Sequence, residues 1–179
     1  MAVTTYVAEL TIFSDSSSEG SSYSTDGHSF VAIKNISSSN IQIGLLSPIA
    51  PNKSISIGTW GNQTSEHIGI YYNLEALLYS QGYYRNTVSL IMQITASQLT
   101  TINNFIINND TWTIPNNCSV FASNLWNSVN SVWFIGGTPT YLKTQISSRS
   151  GSVTGKVIPY DFLVYYGQGS SAPKRSTLW

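Results

Sequence analysis

The only cysteine of the chain, Cys118, stands in the stretch "TIPNNCSVFASNLWNSV", at the first turn of a segment that reads as an amphipathic helix. A helix start presents unpaired backbone N–H groups and about half a positive charge. Both favour a thiolate, and cysteines so placed ionise below the free value of about 8.5. A histidine within reach would accept the proton and complete a thiolate–imidazolium pair, which is how a thiol becomes a nucleophile toward an acyl carbon. Amides of the same turn can hold the oxyanion of a tetrahedral intermediate. A lone cysteine on an apolar stripe is more often a packing residue. Its position at the helix start favours the nucleophile.

Two histidines are available, His28 and His67. His28 follows a glycine at the start of a strand, after a long polar loop, where its ring can reach a cleft. His67, in "WGNQTSEHIGI", also opens an apolar segment. Both precede the cysteine, an order without chemical consequence because the groups need only meet in the fold. Trp60 in "GTWGN" offers a rigid aromatic face for a substrate groove, or for packing in a turn. Asn117, next to the thiol, is a second candidate for substrate contact. His28 and His67 with Glu66 or Glu75 lack HExxH-type spacing, so no metal site and no cofactor are assigned.

Something must position these groups. "TYVAELTIF" reads as a strand, and "SDSSSEGSSYSTDG" as a polar loop leading to the strand "HSFVAIKN". "NIQIGLL" is expected to turn back as its hairpin partner. "NKSISIGTW" alternates Ile55 and Ile57 against serines, and "HIGIYYNLEALLYS" mixes a strand start with a helical end. "NTVSLIMQIT" is almost continuously apolar, which suggests a central strand. Thr95 and Gln98 have capping-box spacing ahead of Leu99, Ile102 and Ile106, predicting a helix. A second helix starts near Cys118 with Phe121, Ala122, Leu125 and Val129 on one stripe. Thr138 and Pro139 open a third. "KVIPYDFLVYY" reads as a closing strand, its Pro159 suiting an edge or bulge. The expected class is α+β, an antiparallel sheet or partial barrel packed against two or three helices. Residues 1–168 form one domain and 169–179 a flexible tail.

Composition narrows the partners. At 41% hydrophobic the 179 residues can build a core, whereas only 9% are charged, against roughly 25% in ordinary soluble proteins. Eight basic and eight acidic residues cancel, so no nucleic-acid footprint is expected. No apolar run approaches the ~20 residues of a membrane span, and the first residues lack the basic start and apolar core of a secretory signal. The expectation is a soluble chain without membrane insertion, secreted or cytoplasmic, its oligomeric state open. A lone cysteine excludes an internal disulfide and leaves the redox compartment undetermined.

"DGHSFVAIKN", a β-rich middle and then "NNCSVFASNLWNSV" on a helix resemble a circularly permuted papain-like cysteine hydrolase, the broad group that includes permuted NlpC-type cell-wall peptidases and lecithin:retinol acyltransferase-like enzymes. The resemblance spans roughly His28 to Val129, with the histidine strand ahead of the nucleophile helix. It implies Cys118 as nucleophile, His28 as base, and a third polar residue orienting that base, for which His67 comes first and Asn62 second. It further implies a thiol hydrolase acting on an amide or ester, with a peptide or peptidoglycan-like substrate, or acyl transfer as a variant. The competing class is a non-catalytic module binding sugars, peptides or proteins, in which Cys118 is inert. The aromatic, Ser/Asn-rich composition also suits that module.

Overall fold

The computed structural model describes residues 3–16, 27–61 and 65–179. Asn62 lies outside them. Within the described residues the fold is α+β, one open antiparallel sheet of eight strands with four helices.

The strands are β1 (Ala8–Ser14), β2 (Ser29–Asn35), β3 (Ser54–Trp60), β4 (Gly69–Tyr72), β5 (Val88–Ile94), β6 (Val153–Thr154), β7 (Tyr165–Gln168) and β8 (Ser171–Arg175). Their order across the sheet is β6-β5-β1-β2-β3-β4-β7-β8. The helices are α1 (Leu74–Ser80), α2 (Ala96–Asn108), α3 (Cys118–Asn127) and α4 (Pro139–Ser147). β1 is paired along its whole length with both β2 and β5.

Side-chain alternation divides the core in two. Leu10, Ile12, Val31, Ile33, Ile55 and Ile57 meet the apolar faces of α2, α3 and α4 on one side of the sheet. Phe13, Phe30, Trp60 and Tyr71 enter a second cluster with Leu74 and Leu78 of α1 on the other. Because both faces are covered, every residue of β3 is buried, its serines included.

The helix starts follow local chemistry. Thr95 and Gln98 form a reciprocal capping box at α2. Thr138 accepts from the Tyr141 N–H, with Pro139 at the first helical position of α4.

Other expectations are corrected. "NIQIGLL" is not a strand: only an isolated bridge joins Ile41 to Ile49, and β2 pairs directly with β3. Ile41, Ile43, Leu46 and Ile49 all turn into the core from this irregular segment, and the Asn35 amide donates to Ser39 O and Ile49 O to close the excursion. β5 lies second from one edge, beside a two-residue strand, and its middle residues alternate between half-buried and exposed because only one face there is covered. The closing strand begins only at Tyr165, so Pro159 stands outside the sheet. Most of the expected flexible tail is ordered: β8 pairs with β7, and Ser176 and Thr177 bond the Glu66 carboxylate. No helix among the described residues is long and apolar enough to cross a membrane.

Candidate active site

Cys118 is the first residue of α3. Asn117, in extended backbone conformation, accepts hydrogen bonds from the Ser119 and Val120 N–H groups at 3.0 and 3.2 Å. This cap starts the helix at the thiol. Phe121, Ala122, Leu125 and Trp126 then fix α3 on the sheet by burying its inner face. A chain of buried hydroxyls registers the helix start against the strands. Ser14 of β1 lies 2.8 Å from Ser29 of β2, which lies 3.0 Å from Ser119. Ser14 also donates to Pro139 O at the start of α4.

His28 immediately precedes β2, and its side chain is hydrogen-bonded to that of Cys118. Its Nε2–H donates to Glu75 Oε1 at 2.9 Å, which leaves Nδ1 for the sulfur. The ring lies among aromatic faces, with centroids 4.0 Å from Trp60, 5.6 Å from Phe30 and 5.9 Å from Tyr84. Such faces favour a cation.

Glu75, in the first turn of α1, is fully buried and accepts from three side chains. Besides His28, Trp60 Nε1–H donates to Oε1 at 3.0 Å and the Ser56 hydroxyl to Oε2 at 2.9 Å. Ser56 in turn accepts the Ala76 N–H, tying β3 to α1. Three converging donors suit an ionised carboxylate, which is an acceptor only. Glu75 reaches His28 across Gly58. A Cβ on Gly58 would fall 2.1 Å from Glu75 Oε1 and 3.0 Å from His28 Nε2.

These contacts set the charges. Burial alone would push His28 down, but the adjoining Cys118 sulfur and the Glu75 carboxylate outweigh it and raise it to about 9. Burial alone would push Cys118 up. The His28 imidazolium opposes it, aided by the Ser29 backbone N–H and the Ser119 hydroxyl, and the thiol is held below its ordinary value. Both shifts favour a thiolate–imidazolium pair, with the Glu75 carboxylate behind the histidine.

The remaining sequence candidates lie elsewhere or serve differently. His67 does not join this group. Its Nε2 bonds Asp110 Oδ1 at 2.6 Å and its ring stacks on Tyr166, beside β4 and β7. Asp110 also accepts the Ile70 and Gly169 N–H groups. A Cβ on Gly69 would crowd both His67 and Asp110. Glu75, not His67, therefore occupies the orienting position behind His28. Trp60 is 3% exposed and offers no face to a substrate; it packs on His28 and donates to Glu75. The Asn117 side chain is engaged as well, its oxygen in the cap and its amide on Gly137 O at 2.8 Å. Because the cap already holds the amides of Ser119 and Val120, the helix-start donor left for an oxyanion is the N–H of Cys118.

No family model, curated protein or solved structure matches this chain. The functional reading therefore rests on the site itself. Sequence reasoning considered Glu75 only as a metal ligand. One signal could have marked it: a carboxylate inside the apolar run "NLEALLYS", in a chain with eight acidic residues, asks for a buried partner.

Proposed function

We propose that this protein is a cysteine hydrolase acting on an amide or ester bond, with Cys118 as nucleophile, His28 as general base and acid, and Glu75 as the group orienting His28. The observation that carries this reading is the buried Cys118–His28–Glu75 arrangement. It joins the three roles an acyl-transfer site needs: an activated nucleophile, a proton carrier and its orienter.

In the proposed reaction the Cys118 thiolate attacks the carbonyl carbon and the carbonyl π pair moves onto oxygen, facing the Cys118 N–H. As the tetrahedral intermediate collapses, the bond to the leaving group breaks and the His28 imidazolium protonates the departing amine or alcohol. Neutral His28 then takes a proton from water, whose oxygen attacks the thioester. Collapse returns the thiolate and releases the acid. An amine or alcohol acceptor in place of water would make the step an acyl transfer. Glu75 keeps the imidazole oriented and offsets its charge; it exchanges no proton.

The order of the elements supports a permuted papain-like arrangement: the histidine strand precedes the nucleophile helix, and that helix packs on β1, β2 and β3. The cell-wall peptide bond implied by that resemblance is the first substrate class to assay.

The test is the pH dependence of alkylation at Cys118 in the parent and in His28→Ala. A sole cysteine makes the readout unambiguous. Rapid labelling well below pH 8 in the parent, shifted to alkaline pH in the variant, is the expected result. Identical slow profiles would sink the hydrolase reading and leave the non-catalytic binding module in its place.

A further inference from the structure

One buried group beside the site has no task among the interactions described so far. The Tyr84 hydroxyl is buried and has no hydrogen-bond partner among the described residues, although the residue is only 3% exposed. Buried tyrosine hydroxyls are normally bonded, because an unpaired one forfeits its hydration without return. Tyr84 also has a φ of +57°, a left-handed conformation unusual for a bulky residue. Two unfavourable features thus coincide in one residue, and its ring centroid lies 5.9 Å from that of His28 and 5.6 Å from that of Phe30. Strained backbone and unsatisfied donors gather where a ligand completes the bonding.

The neighbours define what that ligand offers. Burial, and then the nearby Glu75, Cys118 and Asp15, keep the phenol protonated, so the group presents a donor. Glu75 is already satisfied by His28, Trp60 and Ser56, and Asp15 lies against Lys143. A donor left over beside the histidine that serves the nucleophile suits an oxygen that gains negative charge as the nucleophile attacks.

We propose that the Tyr84 hydroxyl donates to the acyl oxygen of the substrate, joining the Cys118 N–H as the second donor to the oxyanion. The inference rests on the hydrolase reading above.

Tyr84→Phe tests it with two probes. With p-nitrophenyl acetate, a sulfur–carbon bond forms while the carbonyl pair moves to oxygen. The pair then returns, the bond to the aryl oxygen breaks, and p-nitrophenolate leaves with its electrons. Iodoacetamide instead loses iodide from a saturated carbon, with no oxyanion. Tyr84→Phe should lower the acetylation rate constant by about 100-fold or more while leaving the alkylation rate unchanged. Its thermal midpoint should equal or exceed the parent's, because a partnerless hydroxyl is removed. Unchanged acetylation would overturn the inference, as would a thermal midpoint several degrees lower, since the hydroxyl would then be bonded within the fold. If the parent releases no more nitrophenolate than Cys118→Ala, the hydrolase reading fails and this inference falls with it.

Discussion

Gly58 and Glu75 approach so closely that a methyl group on Gly58 would fall 2.1 Å from the Glu75 carboxylate oxygen. The bare α-carbon of β3 therefore leaves room for the α1 carboxylate to reach the histidine beside the thiol. Gly58→Ala should displace Glu75 from His28, cost roughly 2 kcal/mol from overpacking, and move Cys118 alkylation toward the profile of an unassisted thiol. Thermal melts and alkylation on one sample would check both. A variant with parent-like alkylation would show that the close approach is not required.

Glu75 itself separates charge from packing. Glu75→Gln keeps an oxygen for His28 and should preserve the fold, while lowering the histidine pKa and the thiolate fraction at neutral pH. Glu75→Ala leaves His28, Trp60 and Ser56 without their acceptor and should destabilise by about 3 kcal/mol or more. Denaturant melts and titration of the His28 ring by NMR would distinguish the two.

The pH window follows from the directions of the shifts. His28 is raised from 6.5 to about 9, so its contribution to stability is complete below 6.5 and is lost as pH rises through about 9. Cys118 is lowered, so its contribution is present above its unfolded value and is lost as pH falls through its folded one. The ion pair spans the interval between the two folded values. Amide hydrolysis, which needs the imidazolium proton, should fall above pH about 9. Alkylation, which needs only the thiolate, should instead rise there, as the partner loses its charge. An amide-hydrolysis rate that keeps rising beyond pH 10 would contradict this assignment.

His67 should prove separable from the thiol. His67→Ala is expected to leave the alkylation profile of Cys118 intact, because His67 bonds Asp110 at a distance from the site. Asp110→Ala should destabilise the protein by about 2–3 kcal/mol, since Asp110 also holds the Ile70 and Gly169 amides and so ties the end of α2 to β4 and β7. A thiol that became sluggish in His67→Ala would return His67 to the reacting group.

Asn117→Ala removes the α3 cap and the bond to Gly137 O. A loss of about 1–2 kcal/mol is expected, together with slower alkylation as the helix start frays around the sulfur. Asn117→Asp keeps the cap but loses the donor to Gly137 O, so it should recover only part of the stability, and its added negative charge should raise the thiol pKa. Melting and alkylation compared across both variants would separate the cap from the charge.

Much of this protein is legible in local sequence signals. The Thr95–Gln98 box, the Thr138–Pro139 start and the asparagine before Cys118 each act within one turn, so residue type and spacing suffice to place three helices. Alternating or continuous apolar runs similarly disclose β1, β2, β3 and β5. Tertiary structure decided what depends on which strands become neighbours. Glu75 reaches His28 only because β2 and β3 pair directly and α1 packs on β3, and nothing within "NLEALLYS" specifies that pairing. The same long-range pairing turned Trp60 inward and set His67 against Asp110. The C-terminal segment, by contrast, pairs with β7 in a local hairpin turning at Gly169 and Ser170. Caps and periodicity are paid for locally, whereas a buried carboxylate is tolerable only where the whole fold brings donors to it.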